Sequence, residues 1–227
     1  MQQALAQVQQ LQLVHERDAA ALRMREAELR LLQAQVRPHF IFNTLAAVQH
    51  WVDTGDARAA PLLRALTAFL RGATEQLGQS RVRLADEAAT VGHYLQIMQA
   101  RLGDRLRSHI DIAPALVGQP LPPGLLLTLV ENAVEHGVSP ALAGAELRVL
   151  ARPEADGWSL VVADDGVGLP PGGEPVPEAG RGVGLANCRA RLAHHFGDAA
   201  TLSLADGRPG TVATLRFRDS ANAGRAA

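Results

Sequence analysis

Apolar positions recur at helical spacing through the first half of the chain and at alternate positions through much of the second. Residues 1–36 hold no Gly or Pro and are rich in Ala, Leu, Gln, Glu and Arg, all good helix formers. Leu22, Leu29 and Val36 are seven apart, with Asp18 and Glu26 interrupting. That pattern predicts a helical connector, at most a short coiled coil, over 1–29. Beyond Pro38 an apolar stripe runs through Ile41, Leu45, Val48 and Val52, widened by Phe40 and Trp51, until "DTGD" at 53–56 ends it. Helices over roughly 57–77 and about 84–103 follow, with "LADE" (84–87) expected to cap the latter.

After Arg105 the texture changes. "LRSHIDI" alternates as a strand, "PLPPG" (120–124) punctuates, and "LLLTLVENAVEH" reads as one apolar helix. "AELRVLARPEADGWSLVVADDG" is strand, turn, strand, and "ATLSLADGRPGTVATLRF" is a second hairpin. Between them lie a Gly/Pro-rich loop, "LPPGGEPVPEAGRG", and a helix through "GLANCRARLAHHF". The layout predicts two domains: a helical one over 30–105 and an α+β one over 106–219, with a frayed tail at 220–227.

Composition narrows the function classes. A formal net charge of -1 argues against direct electrostatic binding of nucleic acid or anionic membrane. The single cysteine, Cys188, excludes an internal disulfide and fits a reducing compartment. No apolar run approaches the roughly 18 residues of a membrane span. All 22 basic residues are arginines, so a P-loop, which needs its lysine on the phosphates, is excluded.

Four stretches could carry chemistry. "DDGVG" (164–168) ends a strand; its glycines permit close backbone approach and its carboxylates can accept from an amino group, although the same letters also make an ordinary Asp-Gly turn. "GRGVGLANCRARL" (180–192) sets glycines before a helix start, where free N–H groups favour phosphate, or simply makes a turn. "ENAVEHG" (131–137) places Glu131, Asn132 and His136 at the end of an apolar helix; an Asn oxygen suits Mg²⁺, and a solvated helix end is the plainer alternative. In "QVRPHFIFNTL" (35–45), Pro38 precedes His39 inside a helical run, either starting a helix at its tolerated first position or bending one at a reacting residue. Helical spacing puts His39 and Asn43 one turn apart on one face. A histidine that attacks phosphate must be exposed, oriented and neutral, and imidazole is the side chain suited to that near pH 7. The pair His194-His195 lacks Cys or acidic partners at metal-ligand spacing.

Asn132 with His136, then "DDGVG", a Gly/Pro-rich lid, "GVGL" and "GT" (210–211), taken in that order, resemble the Bergerat ATP-binding fold. "VRPHFIFNTL", "YLQIMQARLGDRL" (94–106), "LVENAVEHG" and "GVGLANCRARL" resemble the LytS-type sensor histidine kinases, over about residues 30–218. The resemblance implies a helical hairpin that forms a four-helix bundle as a homodimer, followed by an α+β ATP-binding sandwich. It implies ATP and Mg²⁺ as cofactors and a response regulator, of LytTR type, as partner. It also implies a cytoplasmic location, with any membrane attachment through a sensor region outside this chain.

Carried over by motif, His39 would be the phosphoacceptor, and Asn43 would orient water in removing phosphate from the regulator. Glu131 is a candidate general base, since Phe40 occupies the place where many histidine kinases have an acid. Asn132 would hold Mg²⁺, with His136 near the phosphates. Asp164 would accept from the adenine amino group, with Gly166, Gly168 and Thr211 forming its pocket, and Gly182, Gly184 and Leu185 would close over the triphosphate. Three departures stand out. Asp165 replaces a common Asn and adds negative charge near a polyphosphate. Glu135 replaces a common Lys, and Leu127-Thr128 replaces Gln-Pro. Arg181, Arg189 and Arg191 are candidates for replacement charge. Two alternatives remain: a nucleotide-binding dimeric scaffold with weak or no catalysis, and a conformational ATPase.

Overall fold

The computed structural model describes residues 38–76, 78–169 and 183–219. The expected connector, the stretch before Pro38, most of the lid with Gly182 and Arg181, and the C-terminal tail lie outside the described residues. Contacts divide the chain between Leu45 and Ala46, whereas the expected boundary near residue 105 rests on the change of sequence texture. Helix α1 (Pro38–Asp53) crosses that division.

Helices α2 (Ala59–Glu75) and α3 (Leu84–Leu102) pack along each other. In α2 the buried Leu62, Ala65, Leu66 and Phe69 follow the one-face spacing of an amphipathic helix. Phe69 meets Tyr94 of α3 with ring centroids 6.1 Å apart. The expected "LADE" cap is corrected. The N-cap of α3 is Arg83, with no side-chain bond. The N–H groups of Leu84 and Ala85 donate instead to the carbonyls of Gln119 (2.8 Å) and Val117 (3.0 Å). This contact is extended by a two-residue ladder between β1 (Val82–Arg83) and β3 (Pro120–Leu121), which nothing in the sequence pattern announces. Glu87 is thereby released from local capping and is buried.

Strand β2 (Leu106–Ile112) begins a five-stranded sheet with β4 (Ala145–Glu154), β5 (Gly157–Asp164), β6 (Ala200–Asp206) and β7 (Thr211–Arg218), in the order β2-β4-β5-β7-β6. Only the β2–β4 pair is parallel; the others are antiparallel. Alternation buries one face: Ala145, Leu147, Val149 and Ala151 on β4, Trp158, Leu160 and Val162 on β5, and Ala213, Leu215 and Phe217 on β7. Register makes these cross-strand neighbours, as in Val149↔Val162↔Ala213 and Trp158↔Phe217. Helices α4 (Leu125–Asn132) and α5 (Val183–Phe196) bring the apolar residues Leu125, Leu126, Leu129, Val130, Leu185, Cys188 and Leu192 into the core. The expectation of a helical region followed by an α+β sandwich describes this architecture. Among the described residues no helix is long and apolar enough to cross a membrane.

The single helix expected over 125–136 is corrected as well. The α-helix stops at Asn132 and continues as a π-helix over Ala133–Val138, where Ser139 N–H donates to the Val134 carbonyl at 2.8 Å. Such wider turns are rare and are frequent at functional sites.

Candidate functional site

The alternation that buries Trp158, Leu160 and Val162 continues to the last residue of β5, which is Asp164, only 6% exposed. The rule that packs the core therefore delivers a carboxylate to the inner face, opposite Leu147 of β4 and Thr211 of β7. Gly166 N–H donates to Asp164 Oδ1 at 3.0 Å, and the Thr211 backbone N–H also donates to this carboxylate. Burial raises the Asp164 pKa above the usual carboxylate range, and these backbone donors oppose the rise.

The π-helical turn lies against this acid. A Cβ on Gly137 would come 2.3 Å from Asp164 Oδ1, and one on Gly166 would come 2.2 Å from the Gly137 carbonyl oxygen. Only bare backbone fits at both places. Val167 N–H donates to the Gly137 carbonyl at 3.1 Å, tying the "DDGVG" loop to the π-helix. Gly168 and Gly210, both at positive φ, complete the surround. Gly137 is not among the expected site residues; a glycine closing an apolar helix ahead of an Asp-Gly loop is the sequence signal that marks it.

Asn132 ends α4. Its Nδ2 is buried without a hydrogen-bond partner among the described residues, which is uncommon for a native polar atom. The assignment of amide N and O follows from the network, so this position could equally present Oδ1. The head of α5 abuts it: a Cβ on Gly184 would lie 3.4 Å from Asn132 Nδ2 and 3.2 Å from Thr128 Cγ2. The first turn of α5 leaves backbone N–H groups without intrahelical acceptors. Leu185 is buried, so its side chain serves the core and only its backbone is available to a ligand. Glu131 is half-buried beside Asn132, and His136 is exposed on the π-helix together with Glu135.

Two charge expectations change. Asp165 accepts from Glu146 N–H at 2.5 Å, and its own N–H donates to the Glu146 carbonyl at 3.2 Å. One oxygen of its carboxylate is thus bonded to the start of β4. Arg191 is committed too, donating to the Pro123 carbonyl ahead of α4. An eight-residue helix spans about 12 Å, so Arg191 stands at the far end of α4 from Asn132 and is no substitute for the missing lysine.

On α1, His39 is exposed and Asn43 Nδ2 lies 3.1 Å from its Nε2 and 3.2 Å from its Nδ1. Phe40 is buried, and Thr44 donates to the Phe40 carbonyl at 2.7 Å.

Comparison with known proteins agrees with this assembly. Residues 27–106 match the family model described as histidine kinase, and residues 124–221 match that of the histidine kinase-, DNA gyrase B- and HSP90-like ATPases. The chain is 35% identical over 210 residues to the sensor histidine kinase BtsS of Escherichia coli K12, covering 91% of this chain and 36% of that protein. It is 33% identical over 209 residues to the sensor protein LytS of Staphylococcus saprophyticus, covering 89% and 35%. A solved bacterial phosphotransferase shares the fold, with a TM-score of 0.53 at 17% identity, over 84% of this chain and 96% of that one. The chain spans about a third of the length of the curated relatives it matches. With two adjoining family models in the order its motifs require, and LytS and BtsS among its relatives, the chain belongs to the histidine kinases, in their LytS-type branch.

Proposed function

We propose that this chain is the phosphoryl-transfer part of a two-component sensor kinase, which binds ATP beside Asp164 and transfers the γ-phosphoryl group to His39. The observation that carries the reading is the buried Asp164 carboxylate at the end of β5, which accepts backbone N–H groups and against which the Gly137 and Gly166 backbone packs. An ionised carboxylate is an acceptor only, which selects an amino group such as that of adenine. The head of α5 offers backbone N–H groups to phosphate, and Asn132 stands between them and the π-helix.

The residues present fit magnesium in a limited way. Among the described residues no three His, Cys, Asp or Glu side chains group to hold a metal. Magnesium, however, typically takes one or two protein ligands and completes its shell with phosphate and water, and the orphaned amide of Asn132 suits that use. Bound there, it would neutralise phosphate charge.

In the reaction, the lone pair of a neutral His39 ring nitrogen forms the N–P bond, the bond from phosphorus to the ADP oxygen breaks, and the ring proton passes to a base. Glu131 is the candidate for that base. Catalysis of this kind is mainly positioning and charge stabilisation. From His39 the phosphoryl group passes to an aspartate of a response regulator, of LytTR type in our reading. Asn43, whose amide both donates and accepts, orients the water that later clears the regulator. The working unit is a homodimer.

Incubation with γ-labelled ATP tests this. Acid-labile, base-stable label is expected on the wild type and absent from His39→Gln, which keeps bulk but lacks a nucleophilic nitrogen. Bound nucleotide without label would instead make the chain a scaffold, and released phosphate alone would make it an ATPase.

A further inference from the structure

Helix α4 begins without a cap of its own. Its N-cap is Gly124, at φ 72°, with no side chain to offer its free N–H groups. The missing acceptor comes from α3: Gly124 N–H donates to Glu87 Oε1 at 2.5 Å and Leu126 N–H to Oε2 at 3.1 Å, with a further backbone bond from Leu127. Glu87 is 1% exposed. Arg191 of α5 reaches the same spot, donating to the Pro123 carbonyl with Nη1 close to Gly124. One buried carboxylate therefore joins α3 to α4, with the Arg191 charge of α5 close by. The far end of α4 is Asn132, against which the head of α5 rests through Gly184.

Resting on the reading that this cleft takes nucleotide, we propose that Glu87 is a positioning residue: by capping α4 from α3, it sets where Asn132 stands in the cleft. The ionised carboxylate can accept from every N–H at the helix start, whereas a protonated one exchanges an acceptor oxygen for a donor facing donors. The groups facing Glu87 among the described residues are Arg191 and Cys188 of α5 and the backbone N–H groups at the start of α4. Burial is the larger influence on the Glu87 pKa and raises it to about 7, so both forms exist near neutrality.

Two measurements test the role. In nucleotide-free protein, the side-chain amide signals of Asn132 should move with a midpoint near 7 as Glu87 titrates, and should lose that movement in Glu87→Gln. The experiment is repeated in a His136→Gln background to remove the imidazole on the adjoining π-helix. By calorimetry with Mg·ADP, Glu87→Gln should bind about fivefold more weakly at pH 8, because its amide sets a donor against backbone donors. The gap should narrow toward pH 6, and the ratio to wild type cancels titration of the nucleotide. Glu87→Asp, which keeps the charge, should bind between the two. If the Asn132 signals ignore the Glu87 titration, the proposal is overturned, whether or not affinity falls. If they follow it while wild type binds no ADP, the nucleotide reading fails and the positioning role stands. Should Glu87→Gln not fold, the wild-type titration in the His136→Gln background decides alone.

Discussion

Asp164 is where a packing rule becomes chemistry. Three apolar residues at alternate positions precede it on β5, and the next inward position holds a carboxylate that backbone N–H groups satisfy. Asp164→Asn replaces a charged acceptor by an amide that also donates. Affinity for ATP is expected to fall by about 1.5–3 kcal/mol, the range for hydrogen bonds to charged groups. The fold should persist, because a neutral amide there is no longer penalised by burial. Calorimetry with ATP and a thermal melt of the same protein check both halves, and unchanged affinity would remove Asp164 from the base pocket. Asp165, its neighbour, makes the contrasting case: of two adjacent carboxylates, the one that ends β5 is buried inward and the next is exposed and bonded to Glu146.

At the scale of elements, the change from α- to π-helix after Asn132 is what brings the Gly137 backbone onto Asp164. An α-helical turn and a π-helical turn differ by a fraction of a residue per turn, and no side-chain periodicity over six residues reports that difference. Gly137→Ala tests the contact. Helix propensity alone would favour Ala by roughly 1 kcal/mol, but its Cβ would sit 2.3 Å from Asp164 Oδ1. Overpacking of this kind costs about 1–3 kcal/mol, so steric displacement outweighs propensity. The expected result is a lower denaturant midpoint together with weaker nucleotide binding. A variant as stable as wild type would show that the π-helical turn yields freely.

Across the whole molecule, Glu87 links folding to pH with a definite sign. Its folded pKa, about 7, lies above the ordinary 4.5 because burial disfavours the charged form. The folded state therefore binds this proton more tightly. The contribution of Glu87 to stability is fully present below about pH 4.5 and is lost as pH rises through 7. Relative to Glu87→Gln, wild type should lose up to about 3 kcal/mol of unfolding free energy between pH 5 and 8. Chemical denaturation of both proteins across that range measures it, and parallel curves would mean that Glu87 does not titrate there. This trend opposes the one expected for nucleotide affinity, so stability and positioning are separable in one pair of proteins.

What the residues determined by themselves was the order of parts. Helical spacing marks α2 and α3, and alternation marks β2, β4, β5, β6 and β7, because burial of one face is a local periodic demand. The motifs with His39, Asn132 and Asp164 were legible because each is a short run of unusual residues at the end of such an element. What only the tertiary structure decided was every contact between residues distant in sequence. Glu87 reads as a local cap and instead caps α4, because Gln119 and Val117 satisfy the start of α3. Arg191 reads as spare positive charge and is taken by Pro123. The short β1–β3 ladder is too brief for any pattern. In each case a polar group takes whichever partner packing brings near, and that partner is set by the path of the chain, not by its neighbours in sequence.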